Sequence, residues 1–180
     1  MIPKRIFFYW ENDKMSWMRY MTLYSFRKMN PEWEMDLFFN NANNITEKQW
    51  KTGNEQDFHS YDGVDYFDKI KNLNINIKEI DFNENGLEQF KNVTPSGKSD
   101  IFKWYELYKN GGFFSDMDII YFQPMDKLYN HIKENNYDTL ICQTRYLDIH
   151  NYLSVGFLAS NKDNNFYGDI FNNCFNSRSN

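Results

Sequence analysis

The sequence predicts an α/β fold built on a parallel sheet, and three observations carry that prediction. The chain has 180 residues, and a single domain usually has roughly 100–200. Short apolar runs typical of buried strands alternate with stretches whose apolar residues recur at helical spacing. The links between the first strand, the first helix and the second strand are short, as in a βαβ unit with parallel strands. We expect one domain over residues 1–180.

The first half of the chain supplies three candidate strands and two candidate helices. Ser16 is suited to cap the first helix, because its hydroxyl can accept a hydrogen bond from a backbone N–H, and Pro31 is expected to end that helix. Large side chains recur along it at helical spacing: Trp17, Tyr20, Met21 and Tyr24. In chain order we expect strands at 5–10, 35–39 and 75–80, and a second helix at 66–73.

The second half begins with a helix that Ser99 is suited to cap. Four of its residues follow the i, i+3, i+4, i+7 pattern of one buried face: Ile101, Trp104, Tyr105 and Tyr108. Gly111 and Gly112 are expected to end it, because glycine tolerates the left-handed conformation. The next strand begins at 113–114, runs into residues 116–118 and resumes as an apolar run at 119–122. Beyond it we expect a helix at 125–134, strands at 139–142 and 153–159, and a helix at 166–175.

Charge and composition exclude several classes of function. The chain has 25 acidic and 20 basic residues, a net charge of −5 and no run of Lys or Arg, so we expect no binding to nucleic acid. A phosphate-bearing ligand would therefore need a metal ion or a local Lys or Arg. Cys142 and Cys174 are too few for a disulfide framework or a zinc site, which favours a reducing, cytoplasmic location. No apolar stretch approaches the roughly 18 residues of a membrane span.

The strongest local signal is a pair of acidic residues, Asp116 and Asp118, in a run that is apolar on both sides. In an extended chain residues i and i+2 point to the same face, so both carboxylates are expected to project from a strand end, where α/β folds bind ligands. Neighbouring carboxylates repel each other unless a cation joins them, and hard oxygen ligands suit Mg²⁺ or Mn²⁺ shared with substrate phosphates. The alternative is a solvated turn, because Asp-X-Asp alone is common.

Other candidate residues give weaker signals. Asp100 and Lys103 lie one helical turn apart; they either reach a ligand or form a surface ion pair worth a few tenths of a kcal/mol, and spacing alone favours the ion pair. Tyr9 and Trp10 could stack on a nucleobase, although core packing is the commoner role of such aromatics. Residues 94–99 end like a phosphate-binding P-loop but lack the preceding glycine and apolar strand which that motif requires.

Together these parts resemble a known family. Residues 99–118, which include the double glycine and the acidic pair, are similar to the signature of glycosyltransferases with a DXD sugar-binding region. That family includes capsular-polysaccharide and lipopolysaccharide sugar transferases, fungal mannosyltransferases and, more distantly, the glucosylating toxins. Residues 2–10 resemble its first strand, and residues 25–39 resemble its first helix and second strand.

The resemblance implies a GT-A fold, a Rossmann-like and mainly parallel sheet flanked by helices. It implies that Asp116 and Asp118 are the metal ligands and the catalytic residues. The residues that it implies as contacts to the nucleotide sugar are Tyr9, Trp10, Asp100, Lys103 and Asp116, the first two at the nucleobase. The family usually has arginine where Lys103 stands; lysine keeps the charge but not the bidentate fork.

The resemblance further implies a hexosyltransferase of polysaccharide or glycan synthesis. Such an enzyme moves a sugar from a nucleoside-diphosphate sugar to a hydroxyl of a glycan or polysaccharide acceptor, assisted by Mn²⁺ or Mg²⁺ and with retention of the anomeric configuration. Two alternatives remain open: a metal-dependent phosphohydrolase or nucleotidyltransferase, and a non-catalytic domain that binds nucleotide sugars or carbohydrates. Family members commonly run on for several further elements, so we expect a chain truncated at its C-terminus.

Overall fold

The computed structural model describes residues 1–11, 14–40, 63–84, 86–146 and 149–176. Within these ranges the chain forms a six-stranded sheet with α-helices on both faces. The strands are β1 (Arg5–Glu11), β2 (Glu34–Asn40), β3 (Asn76–Glu79), β4 (Gly112–Ser115), β5 (Thr139–Tyr146) and β6 (Ile149–Ser160). The α-helices are α1 (Trp17–Met29), α2 (Pro95–Lys109), α3 (Asp126–Glu134) and α4 (Asn165–Asn176), and 3-10 helices span Phe67–Leu73 and Glu88–Phe90.

The sheet is mainly parallel, which confirms the predicted fold class. Its strand order is β3-β2-β1-β4-β6-β5. Strand β1 pairs in parallel with β2 and β4, and β2 pairs in parallel with β3. Strand β6 runs antiparallel to both β4 and β5. The chain therefore places β2 on one side of β1 and β4 on the other, which is the switch point where open α/β sheets bind ligands.

Strand β1 lies in the centre of the sheet and is buried on both faces. Ile6 and Phe8 belong to a hydrophobic cluster that includes residues of α1 and α3, whereas Phe7 and Tyr9 belong to a second cluster with residues of α2 and α4. This alternation follows from the period of two in an extended chain. The molecule thus has three layers, with the sheet between two pairs of helices. No helix in the described ranges is long and apolar enough to cross a membrane.

Helix α1 begins as predicted, but its large side chains lie on the less buried side. The Oγ of Ser16 accepts a hydrogen bond from the backbone N of Arg19 at 3.4 Å, and Asn30 caps the other end. Trp17 and Tyr24 are exposed. The buried residues of the helix are others: Thr22, Leu23, Ser25 and Phe26.

Helix α2 begins at Pro95, five residues before the start expected from a Ser99 cap. Thr94 is its cap, and its Oγ1 accepts a hydrogen bond from the backbone N of Gly97 at 3.3 Å. Proline suits the first helical position because its missing N–H would be unpaired there. The segment with a P-loop-like ending, residues 94–99, therefore contains the cap and the first turn of a helix.

The most buried face of α2 also differs from the expected one. Trp104, Tyr105 and Tyr108 are only half-buried, and the ring of Tyr105 packs against Phe171 of α4 at 5.4 Å. The residues turned toward the sheet are buried, and two of them are charged: Phe102, Lys103, Glu106 and Leu107. The aromatic pattern thus marks the contact with α4 rather than the contact with the sheet.

Strand β4 ends at Ser115, so the strand expected through residues 116–122 is wrong beyond that point. The chain turns there and folds Tyr121 back beneath the strand, where its hydroxyl lies 2.7 Å from the Oγ of Ser115. The backbone N of Tyr121 also donates to the Oγ of Ser25 at 3.0 Å. Met117 and Tyr121 therefore contribute to the core from a turn, whereas Phe122 is exposed.

Candidate active site

A cleft of about 480 Å³ opens at the carboxyl ends of β1 and β4, where the strand order reverses. Its walls come from the ends of these two strands, the first turn of α1, the first half of α2 and the middle of β6. In sequence these are residues 9–11, 114–118 and 154–156, Arg19, and four residues between Pro95 and Asp100. The chain thus brings five separate elements to one concave site.

The acidic pair lies directly beyond β4 and faces this cleft. The backbone N of Asp116 donates to the carbonyl of Gly156 at 2.7 Å, and the side chain of Asp116 is 39% exposed. Asp118 is exposed, whereas Met117 between them is buried in the core. Both carboxylate side chains line the cleft. They do so from a turn rather than from the extended chain that the sequence suggested.

The electrostatic surroundings raise the pKa of Asp116 above its usual value. Burial is the largest cause, and the neighbouring charges of Asp118 and Asp100 act in the same direction. Lys103 and Arg19 lower the pKa, but their effect is smaller than the combined effect of burial and the two neighbouring carboxylates. The Asp116 carboxylate is therefore crowded by negative charge, a state that a bound cation would relieve.

Lys103 lies beneath the cleft and does not form part of its wall. Its side chain is 1% exposed, and its Nζ is 2.7 Å from Oδ1 of Asp100 and 4.0 Å from Oδ1 of Asp116. The same ammonium donates to the carbonyl of Val155 at 3.1 Å and lies 4.7 Å from the ring centre of Phe114. The pair with Asp100 exists, but the interpretation of it as a surface ion pair is wrong because Lys103 is buried against the sheet.

Tyr9 and Trp10 both line the cleft, but they offer different amounts of surface. Tyr9 is buried, its ring packs against Phe102 at 5.6 Å, and its hydroxyl donates to Oε2 of Glu11 at 2.7 Å. Burial is the main reason that the pKa of this hydroxyl lies far above its usual value. Trp10 is half-buried, and the guanidinium of Arg19 lies over its ring at 5.9 Å. Trp10 is therefore the better stacking surface of the two.

Most of the chain matches a known protein family in sequence. The family model described as "Glycosyltransferase sugar-binding region containing DXD motif" matches residues 10–138, well over half of the chain. The chain belongs to this glycosyltransferase family.

A solved structure titled "PaToxG Glycosyltransferase" is similar to this glycosyltransferase chain. The two share 17% identity at a TM-score of 0.59, and the match covers 95% of this chain and 59% of the other. At that identity the likeness shows a common fold, which agrees with the predicted glycosyltransferase fold. No curated protein sequence matches the chain.

Three features of this glycosyltransferase cleft were missed by sequence reasoning. Arg19 enters it from the first turn of α1, and the position of that turn directly after β1 was the signal that could have indicated it. Glu11 at the end of β1 forms a buried ion pair with Lys98, with 2.7 Å between Oε1 and Nζ. Gly156 supports the acidic pair, because an added Cβ there would lie 2.9 Å from Oδ2 of Asp116.

The donor atoms of the cleft fit a divalent ion that shares its ligands with a substrate. In the described part of the chain no three His, Cys, Asp or Glu side chains come close enough to hold a metal by themselves. Asp116 and Asp118 offer carboxylate oxygens from one turn, next to an open cleft. Mg²⁺ and similar ions are commonly bound by one or two carboxylates together with water and substrate phosphates. This donor set matches that chemistry.

Proposed function

We propose that the chain is a metal-dependent glycosyltransferase domain that moves a hexose from a nucleoside-diphosphate sugar to a hydroxyl of a glycan or polysaccharide acceptor. One observation carries the proposal: Asp100, Asp116 and Asp118 line the same cleft as the Trp10 ring, at the switch point of the sheet. A nucleotide sugar needs an aromatic surface for its base, a cation for its diphosphate and acceptors for its hydroxyls. The cleft offers a place for each of these.

The side chains divide these tasks by their chemistry. Asp116 and Asp118 would hold Mn²⁺ or Mg²⁺, which when bound neutralises the charge of the departing diphosphate. Trp10 offers a flat face for the base, and Tyr9 lines the same cleft beside it in sequence. Asp100, which is partly exposed, can accept hydrogen bonds from hydroxyls of the ribose or the sugar. Ionised carboxylates are acceptors only, so they suit hydroxyl groups better than phosphate oxygens.

Two finer parts of the proposal rest on different grounds. Retention of the anomeric configuration follows the resemblance to retaining members of the family. A cytoplasmic location agrees with Cys142 and Cys174, neither of which forms a disulfide. We treat residues 1–180 as one nucleotide-sugar-binding domain.

The test is to incubate the protein with UDP-, GDP- and CDP-hexoses in Mn²⁺ or in EDTA and to quantify both nucleotide and sugar products. We expect nucleoside diphosphate and free or transferred hexose in equal amounts, only when Mn²⁺ is present. Release of nucleoside monophosphate with sugar phosphate would instead identify a phosphohydrolase. Tight donor binding without any product would identify a non-catalytic binding domain.

A further inference from the structure

We infer that Arg19, rather than Lys103, is the residue that binds the diphosphate of the donor; this inference rests on the proposed function. The two cations are the Lys and Arg side chains that contribute to the electrostatics of Asp116. They differ in exposure and in the partners they already have. These differences decide which of them remains available to an anion.

Lys103 is engaged by the protein on several sides. Its ammonium lies 2.7 Å from Oδ1 of Asp100, donates to the carbonyl of Val155 at 3.1 Å and forms a longer ion pair of 4.0 Å with Asp116. With 1% of its side chain exposed, it does not reach the cleft surface. To contact a phosphate, the ammonium would have to move away from Asp100 and Asp116. The two carboxylates would then repel each other without a cation between them. Its role is to hold these acids in place from below.

Arg19 is half-buried on the cleft wall and has no such partners among the residues that the structure describes. Its backbone N bonds to Ser16, and its guanidinium lies over the Trp10 ring at 5.9 Å. Among the described residues no carboxylate comes within 4.0 Å of it to form an ion pair, although the cleft as a whole is acidic. An arginine held beside an aromatic ring without an acidic partner keeps its donors available for a ligand.

The position of Arg19 matches the path of a diphosphate. A base stacked near Trp10 and an ion held by Asp116 and Asp118 would be joined by the phosphates of the donor. The guanidinium of Arg19 lies over the Trp10 ring at one end of that path, and Arg19 lines the same cleft as Asp116 and Asp118 at the other end. The first turn of α1 also faces the cleft, and helix N-termini favour anions.

The chemistry of arginine suits this task. Its planar guanidinium can donate two parallel hydrogen bonds to phosphate oxygens, and stacking on a ring fixes its plane. The resemblance implied that the cation at position 103 contacts the nucleotide sugar, but the lysine there is buried and cannot form the bidentate contact. In this chain the two tasks are separated: Lys103 orients the acids, and Arg19 binds the anion.

The test compares nucleotides with nucleosides by isothermal titration calorimetry in Mn²⁺. UDP, GDP and CDP are each titrated into the wild type, and the diphosphate that binds is then used with its matching nucleoside on Arg19→Gln and Arg19→Lys. We expect Arg19→Gln to weaken diphosphate binding about 10- to 100-fold, as for a lost hydrogen bond to a charged group. Nucleoside binding should stay unchanged, and Arg19→Lys should recover part of the loss.

The matched control is Lys28→Gln, which removes an exposed cation at the far end of the same helix. It should bind the diphosphate like the wild type, and thermal unfolding should confirm that all variants are folded. Equal diphosphate binding by Arg19→Gln and the wild type would overturn the inference and leave the proposed function standing. If the wild type binds none of the three diphosphates, the proposed function fails, and the inference fails with it.

Discussion

Two clusters of charged residues lie at opposite ends of the central strands, and they differ in how completely their charges are paired. At the start of β1, Nη2 of Arg5 lies 2.7 Å from Oδ2 of Asp36 and 2.8 Å from Oε1 of Glu106, and all three side chains are buried. At the other end, Asp116 and Asp118 face an open cleft. The first cluster is complete without a ligand, and the second is not.

The carboxyl pKa values record this difference. Asp36 has a side chain that is 0% exposed, and burial alone would raise its pKa, but hydrogen bonds from Lys78, Asn76 and Arg5 outweigh burial and lower the pKa. Asp116 is far more exposed, yet its pKa is raised. An acid that is crowded without sufficient partners is a common mark of a functional site. The contrast indicates that the first cluster stabilises the fold, and it supports the proposal that the second binds a ligand.

The double glycine belongs to the stabilising cluster. Gly112 has φ of 109°, and a Cβ there would lie 2.7 Å from Cγ of Arg5. The carbonyl of Gly111 accepts a hydrogen bond from Nη1 of Arg5 at 3.0 Å. The signature of residues 99–118 thus combines two separate functions. Gly111 and Gly112 accommodate Arg5, and Asp116 and Asp118 line the cleft.

The largest effect is expected from Asp118→Asn. Asp118 is exposed and its carboxylate faces the cleft, so the substitution should abolish Mn²⁺-dependent donor binding while leaving the unfolding temperature nearly unchanged. Calorimetric titration with and without Mn²⁺ measures the first effect, and thermal unfolding the second. Normal donor binding by this variant would remove the functional half of the comparison.

Arg5→Met tests the structural half. Removing the arginine leaves Glu106 and Asp36 buried without their shared partner, so the free energy of unfolding should fall by about 3–5 kcal/mol in urea titration. The control is Lys71→Met, which breaks an exposed i, i+3 pair with Asp68 and should change the stability by less than about 1 kcal/mol. Similar losses in the two variants would show that the buried Arg5 cluster stabilises the protein no more than an exposed ion pair does.

Gly156→Ala probes the support of the acidic pair. The added methyl would press on Oδ2 of Asp116, which can rotate away because it is the end of a side chain. Metal-dependent donor binding should weaken by about 10-fold, as for other changes that reorient a ligand, with little loss of stability. Unchanged affinity would mean that the orientation of Asp116 is not what the cleft requires.

The smallest effect is expected from Lys103→Met and concerns pH. Metal binding requires a deprotonated Asp116, so binding should decline as pH falls through its raised pKa. Lys103 favours the charged carboxylate; without it the pKa rises further, and the acidic limb of the binding curve should move to higher pH. Donor titrations across pH measure this limb. A limb at the same or a lower pH in the variant would contradict the positioning role of Lys103.

Sequence patterns predicted the local parts of this site better than their surroundings. The i, i+3 spacing of Asp100 and Lys103 correctly indicated a pair, formed at 2.7 Å. Spacing could not reveal that Lys103 faces the sheet, because its other partners are distant in sequence; the carbonyl of Val155 on β6, for example, is 52 residues away along the chain. Arg19 was missed for the same reason: its proximity to the acids exists only once the strands have paired.

Strand β6 has a consequence for how this cleft can change during evolution. Phe157–Ser160 pair with β4, whereas Ser154–Gly156 extend past the end of that strand and form one wall of the cleft. This part of β6 contributes little to the hydrophobic core, and Leu153 and Val155 are exposed. Substitutions there can reshape the wall while β1, β4 and the acids stay where they are. Under the proposed function, descendants of this chain could therefore acquire new sugar preferences through substitutions in this part of β6, without rebuilding the centre of the sheet.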